Sequence, residues 1–309
     1  MSGASESINT RYENTIAVLG ASGFIGSSLV LYLMQLGNKL HLLINETDPG
    51  ITSLRGQVQT FNGSINNIDA LNSCFEGCDA VYHLVGIIAE TRSKSFQKTV
   101  IEGTQDVVRA AKNAGVKKIY YLSALGAEEN ADSKYHQSKW YVEQAIIESG
   151  LDYTIFRPSV VFGPGDKFIN QIIKMVRYSP LIPVIGDGLY KLQPVYVEEL
   201  CAVMADAARR TESSKQIYEI GGAEQLTYME IVDIIKRVTG IKKTAMHIPV
   251  SLMKTVAMFM ELVLKPAPLT IDQLKMMAAG STCDNSVVEK EFGVTFSSLE
   301  SQILNYMER

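Results

Sequence analysis

Three glycines at a fixed spacing, Gly20-Ala21-Ser22-Gly23-Phe24-Ile25-Gly26, stand between an apolar run at 16–19 and an amphipathic run at 29–36. That pattern predicts a strand, a tight turn and a helix. Gly20 would allow the turn, Gly23 the close approach of backbone to a phosphate, and Gly26 the close packing of helix on strand. The first-turn N–H groups of such a helix lack internal partners, and the helix dipole adds partial positive charge, so the stretch is suited to hold a pyrophosphate. A dinucleotide held here sets requirements on everything downstream.

Strand-like runs follow at 40–44, 58–61, 80–85, 118–123 and 153–161, with helical runs between them at 24–37, 67–75, 96–115 and 135–149. The alternation predicts an α/β fold, a parallel doubly wound sheet with right-handed crossovers. The expected strand order is 3-2-1-4-5-6, with the ligand crevice between strands one and four. After Val161 the rhythm changes. Gly163-Pro164-Gly165 is a turn, 168–178 reads helical, 179–189 reads as Pro- and Gly-rich loop, 195–208 as another strand edge and helix, and 217–220 as one more strand, closed by Gly221-Gly222. From Thr227 onward the pattern is mainly helical, at 228–239, 250–264, 271–277 and 299–307. The expected organisation is a Rossmann part at 14–162 and 192–222, a smaller, mainly helical substrate part at 163–191 and 223–309, and a disordered tail at 1–13.

Composition excludes several classes. The 309 residues carry a net charge of −4 with no basic stripe, which argues against nucleic-acid binding. Four cysteines do not make a disulfide framework, and Cys74 and Cys78, four apart on a predicted helix face, have no second pair to complete a metal site. No metal is expected. The N-terminal stretch has no apolar core of a secretory signal, and the apolar-rich segment 248–264 is too short to span a bilayer, so a cytoplasmic protein is expected.

Tyr135-x-x-x-Lys139 opens the helix after the fifth strand, with both residues on one face. A phenol near pKa 10 becomes an acid/base when a lysine ammonium stabilises its phenolate. Ser123, at the carboxyl end of the fifth strand where ligands bind in such sheets, could position a substrate oxygen. Ser123, Tyr135 and Lys139 are therefore the candidate catalytic residues.

The glycine turn, Tyr82-His83-Leu84-Val85-Gly86, Ser123, Tyr135-x-x-x-Lys139 and Arg157-Pro158-Ser159-Val160-Val161-Phe162-Gly163-Pro164-Gly165 together resemble the extended and atypical short-chain dehydrogenases/reductases. The likeness runs to about residue 280 and is strongest to the atypical group that includes the nucleotide-binding accessory subunit of respiratory complex I. It implies a Rossmann fold, NADP or NAD as cofactor, and catalysis by Ser, Tyr and Lys. It further implies that Gly20, Ser22, Gly23, Phe24, Ile25 and Gly26 hold the pyrophosphate. Leu84, Val85, Gly86 and Leu122 would line the ribose region with Tyr135 and Lys139, and Pro158 and Val161 would approach the nicotinamide. Two positions depart from the pattern. Asn45 stands where an acid commonly binds the ribose of NAD or an arginine the 2′-phosphate of NADP, and Gly63-Ser64-Ile65 replaces the usual Gly-Asp-hydrophobic stretch at the adenine. The likeness leans to NADP.

Other candidates are secondary. His83, within an apolar strand, is expected to be a core histidine, and His136 to point off the face shared by Tyr135 and Lys139. Asp166 could meet substrate or cap a helix. Met253, Met258, Phe259, Met260, Leu262 and Leu264 form a soft apolar helix whose expected role is core packing, with a lining for an apolar substrate or a membrane-surface contact as the alternative. The expected activity is hydride transfer to or from an apolar, quinone- or isoprenoid-like carbonyl or alcohol. A nucleotide-bound scaffold of a respiratory or quinone-synthesising complex, and a nucleotide-sugar epimerase or dehydratase, are the alternatives. A monomer is favoured over a dimer built on 96–115 and 135–149.

Overall fold

The computed structural model describes residues 14–44, 54, 56–264 and 267–307; the expected tail at 1–13 and Asn45 lie outside them. Strands β1 (Thr15–Leu19), β2 (Lys39–Ile44), β3 (Gln59–Asn62), β4 (Ala80–His83), β5 (Lys118–Leu122), β6 (Asp152–Pro158) and β7 (Gln216–Ile220) form one seven-stranded sheet. Its order is 3-2-1-4-5-6-7 and every pairing is parallel. The direction of strand order reverses between β1 and β4, which is where an open sheet of this kind has its crevice.

Both faces of the sheet are covered, as the near-continuous apolar strands require. Helices α1 (Phe24–Gln35), α2 (Ile68–Phe75), α3 (Gly103–Asn113) and α4 (Lys134–Ile147) are the crossovers. On one face α2, α3 and α4 pack over Leu19, Val81, Tyr121 and Ile155. On the other, α1 meets the later helices α5 (Ile169–Tyr178), α6 (Val197–Ala207) and α7 (Tyr228–Thr239) around Val18, Tyr82 and Phe156. Leu29 and Leu33 of α1 are fully buried there, each contributing about 1.5–3 kcal/mol by removal from water. α7 begins at a Thr227/Glu230 capping box and ends at Gly240 in the left-handed region.

Several expectations are corrected. The run 96–115 is not one α-helix: Phe96–Glu102 is π-helical and α3 starts at Gly103, where a Cβ would sit 2.7 Å from Ile65 Cδ1. The run 153–161 breaks at Pro158, and Val161–Phe162 pairs instead with Val195–Tyr196. The expected loop at 179–189 contains a strand, Ile182–Ile185, paired in parallel with Ala245–Ile248. Cys78 lies beyond the end of α2, its thiol donating to the Cys74 carbonyl oxygen, so the two cysteines do not share a helix face.

The C-terminal part adds α8 (Val250–Val263), α9 (Ile271–Ala279), α10 (Ser286–Phe292) and α11 (Leu299–Met307). Of these, α8 overturns the core-packing expectation: Ala257 is its one buried residue, and Phe259 and Leu262 are 66% and 81% exposed. Its neighbour is α9, which covers only one side of it. No helix among the described residues is long and apolar enough to cross a membrane.

Candidate active site

The glycine turn is shaped by what a side chain would strike. Gly20 has φ +85°, a conformation that favours glycine, and a Cβ there would come within 3.3 Å of the Leu84–Val85 backbone. A Cβ on Gly26 would lie 2.1 Å from the Gly20 carbonyl oxygen, so the helix can seat this closely on the turn only without one. At Gly23 a Cβ would be 3.2 Å from the same oxygen. α1 starts at Gly23 with no side-chain cap and no acid in its first turn. Among the described residues no side chain caps its first-turn N–H groups, which are open to an anion.

The neighbouring strands end at the same edge. Leu84 continues the β1–β4 ladder through its N–H to Leu19 O, and Gly86 follows as the exposed lip of the crevice. Leu122 and Pro158 close β5 and β6, with Val161 three residues further on. Ser64 and Ile65 follow β3, Ile65 buried against Gly103. The structure therefore brings Gly20 to Gly26, Ser64, Ile65, Leu84 to Gly86, Leu122, Pro158 and Val161 to the carboxyl ends of the strands.

α4 carries Tyr135 and Lys139 one turn apart. Lys139 is buried, with Nζ donating to Leu122 O at 2.7 Å and standing over the rings of Tyr121 and Tyr135, 5.0 and 5.9 Å from their centroids. A Cβ on Gly86 would lie 3.3 Å from that Nζ, so the lysine reaches the crevice lip because residue 86 has no side chain. One acceptor for three ammonium donors leaves capacity for a ribose hydroxyl. Burial pulls the Lys139 ammonium down to about 8, against the opposing pull of Glu143. Burial also pushes the Tyr135 phenol up to about 12. The lowering expected from the lysine is therefore outweighed, and the phenol is protonated at neutral pH. Among the described residues its hydroxyl makes no hydrogen bond.

Ser123 is placed differently from Tyr135 and Lys139. Its hydroxyl donates to the Glu143 carboxylate, one turn beyond Lys139 on α4, and Glu143 is fully buried. Arg157 of β6 closes that carboxylate from the other side, through Nε at 2.9 Å and a second guanidinium nitrogen at 2.6 Å. This fork fixes α4 to β5 and β6 and commits the Ser123 proton away from the crevice. Glu143 and Arg157 were missed in the sequence. The signal was there: Tyr135, Lys139 and Glu143 recur at four-residue spacing, and Arg157 opens the motif after the sixth strand.

The N-terminus of α4 is closed twice. Ser133 accepts the His136 N–H, and Asp272, from the first turn of α9, accepts the N–H groups of Lys134 at 2.7 Å and Tyr135 at 3.1 Å. Asp272 too escaped the sequence reading, because nothing local marks a cap given across 137 residues. His83 is a buried core histidine: Nε2 bonds Thr104 Oγ1 at 2.9 Å, and burial, then Lys139, lowers it to about 3. His136 packs against Gly126 with its ring 5.3 Å from that of Tyr135. Asp166 is a helix cap, accepting the N–H groups of Phe168 and Ile169 at the start of α5.

These features fit a nicotinamide dinucleotide on the chain's own evidence: a cradle that any Cβ would fill, an uncapped helix end facing it, and a buried lysine with spare donors at the crevice lip. Known proteins agree. The profile of the NAD dependent epimerase/dehydratase family matches residues 16–221. NADH dehydrogenase [ubiquinone] 1 alpha subcomplex subunit 9, mitochondrial, of Arabidopsis thaliana is 28% identical over 225 residues, which is 71% of this chain but 56% of that protein. The chain thus spans little more than half of that relative's length. The 3beta-hydroxysteroid-dehydrogenase/decarboxylase isoform 1 of the same plant is 26% identical, covering 92% of this chain and 76% of that protein. Among solved structures, the NADPH-dependent quinone oxidoreductase of Escherichia coli complexed with NADPH has the same fold, with a TM-score of 0.76 at 19% identity over 95% of this chain and all of that one. A profile match over more than half the chain, on a sheet and glycine turn built for the purpose, means that the protein belongs to the NAD dependent epimerase/dehydratase family, whose members use a nicotinamide dinucleotide.

Proposed function

We propose that the chain is an NAD(P)-dependent oxidoreductase acting on the carbonyl or alcohol carbon of an apolar, quinone- or isoprenoid-like substrate. The observation that carries this is the Tyr135–Lys139 pair, one helical turn apart at the crevice, with the phenol hydroxyl unpartnered. The bound nicotinamide supplies or takes the hydride. Tyr135, protonated at neutral pH, gives its proton to the substrate oxygen in the reducing direction. Lys139 holds the ribose and returns charge to the phenolate that Tyr135 becomes. Ser123, through its lone pairs, steadies the hydroxyl that results, while Glu143 fixes its rotamer. Gly20, Ser22, Gly23, Phe24, Ile25 and Gly26 hold the pyrophosphate, and Ser64 and Ile65, with Asn45, the adenosine end. Leu84, Val85, Gly86 and Leu122 line the ribose region, and Pro158 and Val161 the nicotinamide. In the same reading residues 14–162 and 192–222 serve the cofactor, 163–191 and 223–309 choose the substrate, NADP is preferred, and the setting is cytoplasmic. The dehydrogenase and quinone reductase activities in the relatives' names support the apolar substrate class.

A second reading, a nucleotide-bound subunit or assembly factor of a respiratory or quinone-synthesising complex, is favoured by the commitment of Ser123 to Glu143 and by the name of the Arabidopsis subunit. Tyr135→Phe separates the two. For the oxidoreductase, turnover on a panel of quinones and apolar carbonyls falls about 10²–10⁴-fold while NADPH binding and thermal stability hold, and bound dinucleotide exchanges within seconds. A dinucleotide retained for hours, with no turnover to lose, overturns that reading and leaves the scaffold. The nucleotide-sugar alternative has less support, since the substrate part carries only Arg177, Arg237 and Arg309, and Arg237 is paired with Glu300.

A further inference from the structure

Helix α8 reverses the usual arrangement of a surface helix. Its outward side carries Leu252, Met258, Phe259, Leu262 and Val263, all more than half exposed, with Ser251 and Thr255 between them and no charge among the seven. Its inward side, Met253, Ala257 and Met260 with Glu261, packs toward α9, and Glu261 accepts the Ile271 N–H at 3.1 Å. A contiguous apolar face of this size marks a binding surface.

The charge around the helix says what the surface meets. The chain as a whole is net negative at −4, yet residues 242–275 hold five lysines, Lys242, Lys243, Lys254, Lys265 and Lys275, against two carboxylates, Glu261 and Asp272. Both carboxylates are turned inward, Glu261 to the start of α9 and Asp272 to the start of α4. The exposed Lys242 lies on the segment that leads to the Ala245–Ile248 strand and α8, and Lys254 flanks the apolar face one turn in. An uncharged apolar stripe with an exposed lysine, Lys254, on its flank and the exposed Lys242 on the segment leading to it is the pattern of a helix that lies in the interface of an anionic bilayer, its apolar side chains among the acyl chains and those lysines at the phosphates. At 14 residues α8 is about 21 Å long, which suits lying in the interface and not crossing it.

We propose that α8 docks the protein on the surface of an anionic phospholipid bilayer, with Leu252, Phe259, Leu262 and Val263 inserted. The docking helix is two hydrogen bonds from the chemistry: Glu261 holds the first residue of α9, and the second, Asp272, holds the N–H of Tyr135. An apolar substrate dissolved in the bilayer would then meet the crevice without passing through water. This route rests on the proposed oxidoreductase reading; the docking itself does not.

The test is flotation of the full chain with vesicles of phosphatidylcholine alone and of phosphatidylcholine with 30% phosphatidylglycerol, alongside NADPH binding. The protein should float with the anionic vesicles, at least tenfold more than with neutral ones, and less in high salt. Phe259→Ser with Leu262→Ser should abolish flotation, and Lys242→Glu with Lys254→Glu should reduce it at least tenfold, with NADPH affinity unchanged in both. Wild-type protein that stays with neither vesicle overturns the proposal. So does a wild-type dimer that the Phe259→Ser, Leu262→Ser variant converts to monomer, because the face would then cover a second copy. Flotation with no turnover on any apolar substrate keeps the docking and removes the oxidoreductase reading.

Discussion

Two helices, α1 and α4, begin at the same edge of the same sheet, and their first turns are opposites. α1 starts on glycine, with no side-chain cap and no acid in its own first turn. α4 starts on Ser133 and receives a carboxylate from another part of the chain. An open helix end at a crevice offers its N–H groups to an anion, whereas a closed one fixes what the helix carries. The difference teaches which end recognises and which end positions. In the proposed function α1 takes the phosphate, while α4, clasped by Ser133 and Asp272, positions Tyr135 and Lys139.

The comparison can be broken hardest at the anchor of the fixed helix. Arg157→Met leaves the fully buried Glu143 without its charged partner, with only the Ser123 hydroxyl remaining, and stability should fall by about 3–5 kcal/mol in denaturant titration. Combining it with Glu143→Gln should restore a large share, since the cost is the orphaned charge. Next, Gly26→Ala drives a Cβ into the Gly20 carbonyl; stability should drop about 1–3 kcal/mol, and NADPH binding, followed by fluorescence, should be lost. Opening the closed end by Asp272→Ala removes the backbone hydrogen bonds from Lys134 and Tyr135 and should cost about 0.5–2 kcal/mol, lowering kcat more than it alters KM.

Lys139 sharpens the comparison through pH. Its ammonium titrates at about 8 in the folded chain against an ordinary 10.5. Between those values the unfolded chain holds the proton and the folded chain does not, so stability contributed by this group rises with pH. The stability of the wild type relative to Lys139→Met should therefore grow from pH 8 to 10 and be level below pH 7. The smallest change in stability, within about 0.5 kcal/mol, is expected for Gly23→Asp, which closes the open end of α1 with a cap of its own. Dinucleotide affinity should nonetheless collapse, because a carboxylate then occupies the place of the pyrophosphate. Retained affinity would mean that α1 is not the phosphate site.

The sheet was legible in the sequence because its inner strands are short apolar runs separated by helical periodicity, the polar, largely exposed β3 standing at the edge, and order follows from right-handed crossovers. The roles of Gly20 and Gly26 were legible too, since close packing of turn and helix needs residues without Cβ. What escaped depends on distant partners. Ile182–Ile185 reads as loop because of Pro183 and Gly186, and becomes a strand only by pairing with Ala245–Ile248. The apolar pattern of α8 is the same whether it packs inside or lies outside, and only the absence of a covering element among the described residues distinguishes them. Ser123 stands where a substrate-facing hydroxyl is expected, but its rotamer is decided by Glu143, twenty residues on.

The contact from Asp272 to the start of α4 also sets an order of assembly. A ribosome releases the chain from its N-terminus, so the sheet strands β1 to β6 and the helix bearing Tyr135 are made more than a hundred residues before the carboxylate that finishes that helix. The Asp272 clasp on the α4 N-terminus is thereby a late contact, made after the helix it finishes.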